Sequence, residues 1–154
     1  MNNKELITKF YMSFAKADAD EMINCYDSII TFTDPAFGTL SSNEVKNMWR
    51  MLIERSKGNL EITFDNVEAN DKTGSANWTA IYFYGDTQRK ITNKISAKFE
   101  FDNGKIIKHT DHFNLWKWTQ QAFGWKGYLF GWTSLMKKKI QSQTASLLQS
   151  YSSN

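Results

Sequence analysis

Residues 90–113 read KITNKISAKFEFDNGKIIKHTDHF, and this stretch decides the architecture. Side chains alternate between the two faces of a strand, so face assignment is arithmetic. Ile91, Asn93, Ile95, Ala97, Phe99 and Phe101 point one way, and Thr92, Lys94, Ser96, Lys98 and Glu100 the other. Asp102-Asn103-Gly104 is a hairpin turn. The chain then returns as a strand expected over Lys105–Trp116, with Ile107, His109, Asp111, Phe113 and Leu115 on one face. Lys108, Thr110, His112 and Asn114 share the other. One apolar and one polar face mark an antiparallel sheet that is wet on one side and covered on the other.

The cover comes from upstream. In Asn3 to Ala17, Leu6, Ile7, Phe10, Tyr11 and Phe14 recur at helical spacing. Asp18 with Glu21 opens a second short helix, and Ser41 with Glu44 a third that carries Val45, Met48, Trp49, Leu52 and Ile53 and stops at Gly58. Between them Ile29 to Thr33 reads as a short strand ending at Asp34-Pro35. Leu60 to Ala69, a turn at Asp71 to Gly74, and Ser75 to Tyr84 add two strands to the meander. Helices first and a meander second predict an α+β domain with helices on one face of a curved sheet.

At 154 residues this is one domain. One proline and eight glycines exclude disorder and collagen-like repeats. No apolar run reaches the ~18 residues of a membrane span, and Met1 to Lys9 lacks a signal-like apolar stretch. The single cysteine, Cys25, rules out an internal disulfide and a cysteine-cluster metal site. A cytoplasmic location is expected.

Two features stand out: 15% aromatic residues, and a break in charge. Residues 1–103 hold 12 basic and 15 acidic side chains, whereas residues 104–154 hold seven lysines, one acid (Asp111) and four of the six tryptophans. Trp118 to Trp132 is aromatic and glycine-rich. Thr133 can then cap a last helix striped by Leu135, Met136, Ile140, Leu147 and Leu148, with fraying expected from Ser150 to Asn154.

Several polar groups sit where apolar ones are expected. His109 and Asp111 share the more apolar face of their strand, where a carboxylate must be paired or reach water in a cavity. Such a pair serves equally as a general acid–base couple or as a satisfied core hydrogen bond. Asp34, on the face of Phe32, is either a turn aspartate before proline or a second acid–base group. Asn93 either orients a ligand or bonds a neighbour, and Tyr82 with Tyr84 and Trp78 lines a pocket mouth or packs a core. His112 points away from His109 and Asp111, so no metal is expected, and no nucleotide-binding or nucleophile-elbow motif is present. The lysines of the tail are too few and its tryptophans too interleaved with glycine and leucine to argue for nucleic acid.

Phe14-Ala15-Lys16-Ala17-Asp18, the Thr33-Asp34-Pro35 corner, Asn103-Gly104-Lys105-Ile106-Ile107 and His109-Thr110-Asp111-His112-Phe113, in that order, resemble the nuclear transport factor 2-like superfamily, most closely its SnoaL-like and ketosteroid-isomerase-like branches. The resemblance covers roughly residues 4–117. It implies a cone, that is, a strongly curved antiparallel sheet wrapped around N-terminal helices (a cystatin-like α+β barrel), with a deep apolar pocket. Residues 1–117 would be that domain and residues 118–154 a helical extension packed on it. Asp34 matches the proton-moving aspartate of ketosteroid isomerases. Their oxyanion donors are absent: the tyrosine position falls on Phe10, with Tyr11 turned about 100° away, and the aspartic-acid position falls near Ala97.

Asp111 matches the acid–base aspartate of SnoaL-like cyclases. The resemblance therefore implies an isomerase or cyclase that moves protons next to a carbonyl. Asp111 would be the base, His109 would tune it, and Asp34 would act across the pocket. Phe10, Phe14, Tyr82, Asn93, Ala97, Phe99 and Phe113 would bind a small apolar ligand without a cofactor or metal. The alternative is a non-catalytic ligand-binding or dimerisation module of the same fold. A homodimer is expected, with no nucleic acid and no stable membrane insertion. The tail resembles an extension of some bacterial SnoaL-like proteins. A lid or dimer contact is preferred for it over membrane contact, because its lysines are clustered.

Overall fold

The computed structural model describes residues 1–153. Two helices, α1 (Asn3–Ala15) and α2 (Ala19–Asn24), precede strands β1 (Tyr26–Asp34) and β2 (Gly38–Ser41). Helix α3 (Asn43–Ser56) leads into β3 (Glu61–Ala69), β4 (Thr73–Tyr84), β5 (Arg89–Asp102) and β6 (Lys105–His112). Three tail helices follow: α4 (Leu115–Phe123), α5 (Trp125–Phe130) and α6 (Ser134–Ser152). The six strands form one sheet in the order β2-β1-β6-β5-β4-β3.

Strands β3 to β6 are the antiparallel meander expected from their alternation. Strand β1 refines the picture: it lies parallel to β6 and antiparallel to β2, so the sheet is mixed and open at both edges. Helix α1 starts at a reciprocal capping box, Asn2 with Glu5, and its face of Leu6, Ile7, Phe10, Tyr11 and Phe14 is buried. Tyr11 is buried with the rest of this face, as its helical phase predicts. Covered on both flanks, α1 buries Tyr11 against Phe64, with ring centroids 5.4 Å apart.

Four local expectations change. Strand β6 ends at His112 because Asn114 caps α4, its side chain accepting from the Lys117 N–H at 3.0 Å. A register shift beside Glu100 and Phe101 makes Ile107 the extra residue, so Ile106, not Ile107, is buried. Helix α3 starts at Ser42 without a side-chain cap and ends on Lys57 in left-handed geometry, not at Gly58. On α6, Thr133 caps as expected, yet Leu135 and Leu147 are exposed and Ile140 and Leu148 carry the contact. The helix continues to Ser152, and Asn154, part of the segment expected to fray, lies outside the described residues.

The core accounts for much of the aromatic surplus. Phe10, Phe14, Tyr26, Phe32, Trp49, Trp78 and Phe99 are all buried in one cluster between the helices and the sheet. Each such side chain contributes roughly 1.5–3 kcal/mol of burial.

Candidate functional site

Strand β6 carries His109 and Asp111 into this aromatic core, where they are 0% and 2% exposed. The His109 Nε2 lies 2.9 Å from Asp111 Oδ1, and its Nδ1 lies 2.8 Å from the Tyr26 hydroxyl. The Trp49 indole donates to that hydroxyl at 2.9 Å, and the Trp78 indole donates to Asp111 Oδ1 at 3.3 Å. One arrangement gives every group in the relay a partner: Tyr26, accepting from Trp49, donates to Nδ1, and Nε2–H donates to Asp111. Phe99, Phe32 and Phe10 surround the ring at centroid distances of 4.5, 5.1 and 5.5 Å. The expectation that His109 opens onto a ligand-sized void is therefore corrected: aromatic rings fill the space around it.

Beside this relay is one unsatisfied group. The Tyr11 hydroxyl is buried and has no hydrogen-bond partner among the described residues. Burial pushes its pKa well up, and the negative charge of Asp111 adds to the effect. A buried hydroxyl without a partner costs about 1–3 kcal/mol.

The third candidate stands at the less buried end. The parallel register pairs Phe32 with His109 and Thr33 with Thr110, so Asp34 follows on the face of Phe32 at the end of the strand pair, within the influence of the Asp111 charge. Asp34 Oδ1 accepts from the N–H groups of Ala36 at 2.9 Å and Phe37 at 2.6 Å. Helix α6 holds the same turn from outside: Gln141 Nε2 donates to the Pro35 carbonyl at 3.1 Å and Thr144 Oγ1 to that of Ala36 at 2.8 Å. Although partly open to solvent, Asp34 is densely surrounded, and burial pushes its pKa up to about 7. The Phe37 and Ala36 N–H groups oppose that rise, and the Asp111 charge reinforces it.

Across the face, the Tyr82 hydroxyl accepts from the Trp118 indole at 2.7 Å. Burial pushes the Tyr82 pKa to about 12, against the Trp118 bond and with help from the Asp34 charge. Asn93 and Phe113 are half-buried on the same side. Ile91, Trp118, Ala122 and Ile140 form a second small core here, with Ala36, Tyr82 and Phe113 at its edge. The tail helices thus cover the end of the sheet where Asp34 sits.

The expected ligand-binding residues divide in two. Phe10, Phe14, Ala97 and Phe99 are sealed in the core, whereas Tyr82, Asn93 and Phe113 lie at the half-buried end. Tyr26, Trp49, Trp78 and Trp118, the donors of the two polar networks, carried no sequence signal beyond helical or strand phase. Among the described residues no group of three or more His, Cys, Asp or Glu is placed to hold a metal. Two surface clefts lie elsewhere. One of about 660 Å³ runs over the outer sheet face past Lys98, Glu100, Lys108, Thr110 and His112, and one of about 640 Å³ lies along Lys4, Thr8, Met12 and Glu21.

Comparison with known proteins follows this geometry. The model of the SnoaL-like domain family matches residues 7–109. A proposed polyketide cyclase from Pseudomonas putida superposes with a TM-score of 0.64 at 17% identity, over 79% of this chain and 98% of that one. An epoxide hydrolase of the LEH-like type from M. tuberculosis gives 0.60 at 16% identity, over 86% and 92%. TerC, co-crystallised with polyporic acid, gives 0.60 at 13% identity, over 71% and 89%. At these identities the structural likeness establishes the nuclear transport factor 2-like cone and nothing finer. No curated protein matches the chain by sequence.

Proposed function

The chain belongs to the SnoaL-like family, and from that premise we propose that it is a cofactor-free isomerase or cyclase that moves a proton next to a carbonyl of a small apolar substrate. The observation that carries the proposal is Asp34 at the half-buried end of the inner face, just beyond the Thr33–Thr110 pair and within the influence of the buried Asp111 charge. Asp34, with its pKa near 7, is suited to take and return a proton at neutral pH. The roles implied by resemblance are thereby exchanged. Asp34 is the base, its affinity for the proton raised chiefly by burial and further by the charge of Asp111, which His109 and Trp78 hold.

The step is simple in balance. Asp34 removes a proton α to the carbonyl, an enolate forms, and Asp34 returns the proton to carbon. The enolate oxygen needs a preorganised donor. The half-buried Asn93 amide could supply it, or the unpartnered Tyr11 hydroxyl where the substrate reaches into the core. Tyr82, Asn93 and Phe113 would contact the substrate. Residues 118–154 would form an extension of the 1–117 domain, and admission of substrate would require lifting Trp118 from Tyr82. A cytoplasmic homodimer joined through the outer sheet face completes the proposal, and sedimentation equilibrium tests the dimer.

The enclosure of His109 and Asp111 favours a second reading, a module that binds a small apolar molecule without turning it over. Exchange of the α-protons of 1-indanone and 2-tetralone in D2O, followed by NMR, separates the two. Catalysis predicts exchange with an inflection near pH 7, lost by 100-fold or more in Asp34→Asn. In Asp111→Asn the inflection moves to lower pH, because the neighbouring charge that raises Asp34 is gone. Ligand-induced thermal shifts with no exchange would leave only the binding module.

A further inference from the structure

Helix α5 meets α4 through glycine. A Cβ at Gly127 would run into the Thr119 carbonyl oxygen, and one at Gly131 into Thr119 Oγ1. Those two positions, four apart, use up the inward face of the short helix. Its large side chains therefore have to point outward. Trp125, Tyr128, Leu129, Phe130, Trp132 and Leu135 are all exposed, six apolar side chains within eleven residues. Elsewhere the exposed large apolar side chains, such as Ile29 and Phe83, are scattered singly, as is normal for a surface.

The chemistry around this patch is of one sign. From His112 to Asn154 there are five lysines (Lys117, Lys126, Lys137, Lys138 and Lys139) and no acidic residue. Lys126 Nζ lies 5.8 Å over the Trp125 ring, and the triplet at 137–139 is exposed immediately beyond Leu135. The indole N–H of Trp132 is bonded to the Leu129 carbonyl at 2.9 Å, and that of the adjacent Trp116 to the Tyr128 carbonyl at 3.0 Å. These rings can leave water without stranding a donor. Aromatic side chains with lysines beside them are the composition of a surface that seats at a lipid headgroup boundary. Among the described residues no helix is long and apolar enough to cross a membrane, so such contact would be peripheral.

We propose that α5, the following turn and the start of α6 form a docking face for bilayers with anionic headgroups. Charge complementarity selects this occupant. A second copy of the same face would set lysines against lysines, whereas an anionic bilayer offers both apolar depth and opposite charge. Lys126 lies over the Trp125 ring and the 137–139 lysines follow Leu135 directly in sequence, which gives the tail a second role beside covering the Asp34 end.

Co-sedimentation of the full chain with phosphatidylcholine vesicles, and with vesicles containing phosphatidylglycerol, tests this. At low salt the expected result is at least tenfold stronger binding to the anionic vesicles, falling steeply as salt is raised. Quenching of tryptophan fluorescence by brominated acyl chains is expected in the wild-type chain, which requires no variant to fold. Trp125→Ser with Trp132→Ser should lower binding tenfold or more with an unchanged melting temperature. No binding to anionic vesicles, or binding without quenching, overturns the proposal. So does self-association that buries these tryptophans, or tight binding of single-stranded DNA in the absence of vesicle binding.

Discussion

Replacing Asp34 by Asn should stabilise the protein, and only above acidic pH. The carboxyl titrates near 3.8 ordinarily and near 7 in the fold. An acid whose pKa is raised on folding binds its proton more tightly in the native state. Its favourable contribution is complete below the unfolded value and is lost as pH rises through the folded one. The rise corresponds to about 4 kcal/mol at full burial. Asp34 is partly open to water, and screening brings the figure down to about 2 kcal/mol. An Asn oxygen still accepts from Ala36 and Phe37 N–H, so the turn is retained. For a chain of this size, 2 kcal/mol corresponds to about 4–8 °C in melting temperature. Melts of both proteins from about pH 4 to about pH 8.5 should coincide at the acid end and diverge up to about pH 7 in favour of Asp34→Asn. A constant difference across the range, or a variant less stable than wild type at the alkaline end, would refute the reasoning. The same variant is the one expected to abolish exchange, so stability gained with activity lost would be the joint signature of a group held in an unfavourable state for use.

Three further outcomes follow from single features. Tyr11→Phe removes a buried hydroxyl with no partner and should raise stability in urea denaturation by up to about 1 kcal/mol, while slowing proton exchange if Tyr11 stabilises an enolate. Gly127→Ala drives a methyl into the Thr119 carbonyl and should cost about 3 kcal/mol or more, seen as lost hydrogen-exchange protection across α4 and α5. Cys25, buried and with its thiol pushed to about 11 chiefly by burial, should resist Ellman's reagent in the native state and react at once after guanidinium unfolding.

The meander and the α1 face were legible because both follow one clean period: Ile91 to Phe101 alternate without a break, and Leu6 to Phe14 repeat at helical spacing. The inward direction of His109 and Asp111 was legible for the same reason. What escaped depends on contacts between distant segments. The relay joins Tyr26, Trp49 and Trp78 to β6, and no spacing in the sequence relates them. Tyr11 is on the legible α1 face and is buried as expected; its lack of a hydrogen-bond partner among the described residues was not legible, because it depends on β3 and β4 across the core. The end of β6 was overrun because Asn114 reads equally as a strand residue or a cap, and only the start of α4 decides between them.

The parallel pair has a consequence in time. Each meander strand can pair with the next as soon as both exist, across turns of a few residues. Strand β1 pairs early with β2, but on its other side Phe32 finds its partner only at His109, across α3 and four strands. Long loops close late and slowly in folding. Asp34 and Asp111 therefore come together only when this long loop closes. A molecule that neutralises that pair would act on contacts made late in folding, and should slow unfolding more than it speeds refolding.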